Sequence, residues 1–151
     1  MDHKSFPRKS HSRAGFSLVE VIVSAGILAL VLSATLLLFI NAIILNQTSR
    51  DITIATSHAQ YVLENIRNSA FANVPGQING SAWDWNLETV QSKMASSLKN
   101  ESIATRCLDS GGVEISCSSA SGPLRVKVTV SWTDVPGRTR SIAVNTQMGG
   151  A

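Results

Sequence analysis

Gly15-Phe16-Ser17-Leu18-Val19-Glu20 opens the apolar run on which the rest of the chain depends. From Val21 to Ile40 there is no charged residue, and hydrophobic character continues to Leu45. About twenty such residues are enough for a helix to span a bilayer. Yet a carboxylate, Glu20, stands just inside the start of the run, behind a glycine and a short basic leader. Anchoring alone does not call for an acid there, because a carboxylate in a bilayer is costly unless it finds a partner.

The chain has 151 residues, so once the apolar helix is set aside there is room for one small globular domain. Its formal charge is +3, and the location of that charge matters more than its size. Residues 1–15 hold Lys4, Arg8, Lys9 and Arg13 against Asp2, while the remainder balances nine basic residues with nine acidic ones. Loss of the leader would remove the electrostatic case for nucleic-acid binding. Basic residues beside an apolar span stay on the cytoplasmic side, so the rest of the chain is expected to face outward. A conventional secretory signal would place a small-residue cleavage site after the apolar run. Here the small residue comes before it, at Gly15, and a cut there leaves the apolar helix as the new N-terminus.

The six residues Gly15 to Glu20, with a basic leader before them and a long uncharged run after them, resemble the type IV prepilin (class III) signal of pilins and type II secretion pseudopilins. The resemblance implies that a membrane prepilin peptidase cuts between Gly15 and Phe16 and N-methylates Phe16. Glu20 then becomes the fifth mature residue, the family's assembly glutamate, which neutralises the N-terminal amine of a neighbouring subunit. Independent physics agrees, since the freed amine of Phe16 lies four residues away and a helix N-terminus favours an anion. Ser17, Ser24, Ser33 and Thr35 are read as backbone-bonded small residues. Major pilins often carry a proline midway through this helix; Leu37 stands there instead, and local melting of the helix is not expected.

Beyond Leu45 the composition turns polar while helical periodicity persists. Ile52, Ala55, Ala59, Val62, Ile66 and Ala70 recur at spacings of three and four, which predicts one buried face. Val74-Pro75-Gly76 is expected to close the pattern. A single helix from Phe16 to about Ala72 would be roughly 80 Å long, more than a small domain can bury. His58 and Tyr61 lie near the stripe, and a lone helical His is ordinarily solvent-facing or hydrogen-bonded.

Residues 75–86 read as a loop containing Trp83-Asp84-Trp85. The two tryptophans are candidate ligand contacts, because aromatic rings stack on sugars and bases, or else cover the sheet. Asp84 or Asn86 is placed to cap a short helix with Leu87, Val90, Met94 and Leu98 on its apolar face and an end at Lys99-Asn100-Glu101. Ile103–Cys107 and Val113–Cys117 read as short strands around Asp109-Ser110-Gly111-Gly112. Cys107 and Cys117 form a candidate disulfide across that hairpin, with two free thiols as the alternative. No further Cys or His nearby completes a zinc site.

Leu124, Val126, Val128, Val130 and Trp132 alternate strictly with polar residues, the pattern of a half-buried strand. A turn at 134–137 returns the chain along Arg138 to Thr146. This hairpin resembles the C-terminal one of many minor pilins, including the PilV type. Arg125 and Lys127, with Arg138 and Arg140, are candidates for a basic outer patch that would touch DNA, an anionic polymer or an acidic subunit.

These readings together predict an α+β, pilin-like fold in four parts: a leader over 1–15 removed by the peptidase, a transmembrane and filament-core helix over 16–45, its amphipathic continuation over 46–74, and a small head over 75–151 on an antiparallel sheet. They imply a minor pilin or pseudopilin, a structural subunit of a type IV pilus or type II secretion pseudopilus. It would sit in the inner membrane in a single pass with its head outside, then in the filament. The implied partners are prepilin peptidase, other pilin or pseudopilin subunits, an inner-membrane assembly platform and, before assembly, membrane lipid. The alternative is a membrane-anchored module binding DNA or a surface ligand. No catalytic constellation, phosphate loop, cofactor or metal set emerges.

Overall fold

The computed structural model describes residues 15–117, 123–135 and 137–149. The basic leader and the proline of the 134–137 turn therefore lie outside the described residues. The described residues form two compact units, divided between Ala42 and Ile43. Helix α1 (Leu18–Arg67) is 50 residues long and takes part in both.

In the first unit every described side chain is exposed, including Leu18, Ile22, Ile27, Leu32, Leu36 and Phe39. The helix is long and apolar enough to cross a membrane. Ser33 and Thr35 turn their hydroxyls back onto the carbonyls of Ala29 and Val31, both at 2.8 Å, so neither asks for an outside partner.

In the second unit the amphipathic stripe of α1 meets the core. Ala55, Ala59, Val62 and Ile66 are buried, joined by His58 and Leu63. Ile52 and Ala70, expected on the same face, are exposed, because the packed face is shorter than the periodicity. The helix stops at Arg67 rather than near Ala72. Its last turn tightens, Ser69 N–H donating to the Ile66 carbonyl at 3.1 Å, and the Ser69 hydroxyl takes the Asn65 carbonyl at 3.0 Å.

A 3-10 turn (Phe71–Asn73) stands where the long helix was expected to end, and helix α2 (Val74–Asn79) occupies the start of the 75–86 stretch expected to be a loop. Pro75 sits in the first turn of α2, where its missing N–H would have had no helical partner, so it starts a helix rather than ending one. Helix α3 (Leu87–Lys93) is capped by Asn86, whose side-chain oxygen accepts from Thr89 N–H at 2.9 Å. It ends before Met94, so Leu98 is buried from a loop and not from the helix as expected.

The sheet has four antiparallel strands, β1 (Ser102–Leu108), β2 (Glu114–Ile115), β3 (Leu124–Thr133) and β4 (Thr139–Met148), in the order β2-β1-β3-β4. Register places Thr105, Val128 and Val144 side by side, as it does Ile103, Val130 and Ile142. These rungs line the inner face, and the buried side of α1 joins them in one cluster with Val74, Val90, Leu98 and Trp132. The result is an α+β fold in which a long helix packs on a small antiparallel sheet, as the patterns predict.

Candidate functional site

Three features invite a functional reading: the N-terminal segment, a buried polar contact behind the head's loop, and the polar sheet face. The first is set by sequence and exposure. Glu20 lies in the first turn of α1, beside the four N–H groups that a helix start leaves without intrahelical partners. It is the only charged residue from Phe16 to Ser49. Phe16 is 81% exposed. A Cβ added at Gly15 would meet nothing within 4 Å, so the fold itself places no demand for glycine there.

The second feature is one that sequence reasoning missed. His58, on the buried face of α1, lies 2.7 Å through Nδ1 from Glu101 Oε1. Glu101 Oε2 accepts from the backbone N–H of Leu98, also at 2.7 Å. Asn100 adopts φ 53°, a left-handed turn that asparagine tolerates, and this turn lets the chain fold back so that Glu101 points inward. The carboxylate thus ties the 94–101 loop to the helix. The signal was available on the helical wheel: a residue at 58 shares its face with 55, 59 and 62, and a histidine there needs a buried partner.

Trp83 and Trp85 are buried and belong to the core. Trp85 exchanges both backbone hydrogen bonds with Ile103, at 2.9 and 2.8 Å, so its segment flanks β1 as an extra bridge. Its ring stands 6.2 Å from that of Tyr61 and carries Lys93 Nζ at 5.4 Å. The rings offer no open platform, which corrects the stacking alternative. Both belong to the cluster in which the buried side of α1 meets the sheet.

The expected basic patch is divided, and against its four cations stand two carboxylates, Glu114 and Asp134. Arg125 and Lys127 lie on the outer face; Lys127 pairs with Glu114 at 2.8 Å, and Arg125 donates to the Ser110 carbonyl at 3.0 Å. Arg140 is opposite Trp132 in the ladder, on the rim of the inner face instead. It and Arg138 both pair with Asp134. Arg106 pairs with Asp84 at 2.7 Å. The Arg140 hydrogen bond holds the Asp134 carboxyl below its ordinary range, helped by Arg138 and outweighing burial. Burial raises the Asp84 carboxyl, but Arg106 and the Thr105 N–H outweigh it and leave the group lowered. Glu114 is lowered chiefly by its hydrogen bond from Lys127.

Cys107 and Cys117 are joined by a disulfide, with Cα atoms 5.2 Å apart. It extends the short β1–β2 pairing, whose ladder covers Cys107 with Ile115 and Leu108 with Glu114. Among the described residues no cluster of three His, Cys, Asp or Glu side chains is placed to hold a metal.

The first unit thus carries a long apolar helix with one acid in its first turn, and the second a small antiparallel sheet. Residues 10–36 match the family model described as the prokaryotic N-terminal methylation motif. The match supports a pilin- or pseudopilin-type protein that is anchored by its apolar helix, and it points to a structural subunit rather than an enzyme. No curated protein matches the chain, and no solved structure does.

Proposed function

We propose that the protein is a minor pilin or pseudopilin, a structural subunit of a type IV pilus or type II secretion pseudopilus. The observation that carries this reading is Glu20, the sole charge from Phe16 to Ser49, in the first turn of an otherwise apolar helix. Prepilin peptidase cuts between Gly15 and Phe16 and methylates the new amine. Before assembly the helix rests in the membrane. In the filament it packs among neighbouring helices, where the Glu20 carboxylate neutralises the Phe16 amine of an adjacent subunit and sets axial register.

Support comes from the methylation motif, the exposed apolar span and the open surroundings of Gly15. Because the fold tolerates a side chain at 15, a processing defect on substitution there would report the peptidase and not misfolding. Intact-mass measurement of the protein from its host membrane should give a chain beginning at methylated Phe16, and Gly15→Val should retain the leader. Glu20→Ala should be cut normally yet enter filaments at least tenfold less often. A native chain that keeps its leader, or one cut after the apolar run, would sink the proposal.

A further inference from the structure

Strand β4 stands last in the sheet order, so one of its sides has no neighbouring strand. Which backbone groups point that way follows from two bonds at the 134–137 turn. Thr133 N–H donates to the Lys99 carbonyl at 2.8 Å, on the β1 side, and Asp134 N–H donates to the Arg138 carbonyl at 2.9 Å, on the β4 side. In an antiparallel ladder these directions alternate residue by residue. The even-numbered residues of β3 therefore bond β4, and by register their partners there are Arg140, Ile142, Val144 and Thr146. Thr139, Ser141, Ala143, Asn145 and Gln147 turn their N–H and C=O groups to the open side, where no hydrogen bond between described residues reaches them.

Edge strands are ordinarily short, or carry charge, proline or a bulge against further pairing. β4 is 10 residues long and pairs with β3 rung by rung without a bulge. It has no proline, and no charged side chain from Ser141 to Met148. Nor does the core stop there. Val128 and Val130 of β3 are fully buried, whereas Val144 and Ile142, beside them on the same face, are only half-buried. One more strand on the open side would cover them.

Arg67 gives the charge of what lies there. Its guanidinium donates to Thr146 Oγ1 at 2.7 Å, which fixes it beside β4, and no carboxylate among the described residues pairs with it. A second copy of β4 supplies none. The strand contains no acid, and antiparallel self-pairing centred on Ala143 would put Arg140 opposite Thr146, a cation brought up to Arg67.

We infer that β4 takes up an extended segment of another protein as an added antiparallel strand, with apolar side chains opposite Val144 and Ile142 and a carboxylate opposite Thr146. The open backbone positions supply the hydrogen bonds, and the two half-buried side chains supply the apolar contact. Side chains opposite each other across a ladder lie about 5 Å apart, so the carboxylate reaches Arg67 and sets the register. The surface lies wholly in the second unit and depends neither on processing nor on filament assembly.

The test uses the full chain in maltoside micelles and a capped nonapeptide that alternates threonine with, in order, glutamate, valine, valine and serine. Residue-by-residue amide exchange, followed by NMR, reads the edge directly. In the free chain Ser141, Ala143 and Asn145 should exchange at least about tenfold faster than Ile142 and Val144. Peptide at about 1 mM should slow the first three about tenfold and leave the other two unchanged. The same peptide N-methylated at its third, fifth and seventh residues has lost the donors that face β4 and should have no effect. Arg67→Gln should weaken the acidic peptide about fivefold and leave a peptide with glutamine for glutamate unaffected. Ala143→Pro removes an open N–H but no bond to β3 and should abolish binding, with an intact disulfide and native helix content verifying its fold.

Exchange unchanged by the peptide would overturn the inference, as would equal slowing by its N-methylated form. Equal affinity of the native chain and Arg67→Gln for the acidic peptide would overturn the carboxylate and with it the stated chemistry of the partner. Slow exchange at Ser141, Ala143 and Asn145 without peptide, lost on dilution, would assign the edge to a second copy and defeat the inference as well.

Discussion

His58 of helix α1 and Glu101 at the entrance to β1 meet at 2.7 Å, and solvent reaches neither side chain to any extent. They are 43 residues apart in sequence. The contact holds the 94–101 loop, and with it Leu98, against the helix, so one polar pair fixes where this loop packs.

Glu101→Ala should therefore destabilise the head by about 3–5 kcal/mol, since it strands a buried histidine and the Leu98 N–H together. Glu101→Gln keeps an oxygen for one of those donors and should cost only about 1–2 kcal/mol. Urea unfolding followed by tryptophan fluorescence checks both. Equal midpoints for the native chain and Glu101→Ala would show that the pair contributes nothing.

Trp132 is 2% exposed, yet its indole N–H has no hydrogen-bond partner among the described residues. Burying a donor unpaired costs about 1–3 kcal/mol. Trp132→Phe should thus lie within about 1 kcal/mol of the native chain despite its smaller ring. Trp132→Ala removes the packing as well and should cost about 3–5 kcal/mol. Thermal unfolding monitored by circular dichroism separates the two, since fluorescence would change with the residue itself.

The Cys107–Cys117 disulfide closes a short loop, its cysteines 10 residues apart. In the chain-entropy account that constraint contributes about 3 kcal/mol. Reduction, or the Cys107→Ser and Cys117→Ser pair, should lower the unfolding midpoint accordingly. Amide exchange should rise first at Glu114 and Ile115, since β2 is only two residues long.

Asp134 accepts hydrogen bonds from Arg138 and Arg140, and its carboxyl titrates below the ordinary range, chiefly because of Arg140. A depressed folded-state value means that this contribution is complete above the unfolded-state value. It disappears as pH falls through the folded one. Native stability should decline below about pH 4, and Asp134→Asn should flatten part of that decline. Paired unfolding curves at pH 3 and pH 6 measure the difference. An identical slope in the variant would remove Asp134 from the account.

Much of this was legible in the sequence because it rests on local repetition. Strict alternation from Leu124 to Trp132 assigned β3 and its inner face, and spacing along Ala55, Ala59, Val62 and Ile66 assigned the packed side of α1. Asn86 was readable as a cap because capping is decided within four residues. The proline at 75 misled, since its meaning depends on whether it falls in the first turn of a helix or inside one, and that turns on where the preceding helix stops.

The candidate sites divide along the same line. The Gly15–Glu20 stretch is local, and sequence alone placed a lone acid at the head of an apolar helix with all the net charge before it. Partners of the basic residues were not readable, because Asp134 collects two arginines only after the 134–137 turn closes, and Glu114 meets Lys127 only once β1 lies between their strands. Nor was the fate of Trp85, whose ring meets Tyr61 and whose backbone pairs with Ile103, both from distant parts of the chain, or of Trp83, buried in the same cluster.

By itself, then, the sequence determined the anchor, the spine helix, the β hairpin and the α+β class, each a matter of how apolar residues repeat along one segment. Tertiary structure alone decided the His58–Glu101 contact, the burial of the tryptophans and the pairing of Lys127 with Glu114. The physical reason is that hydrophobic burial is nondirectional and shows as a period, whereas a hydrogen bond or ion pair needs a particular partner at about 3 Å. For His58 and for Lys127 alike, what stands across from the side chain is set by the rest of the fold.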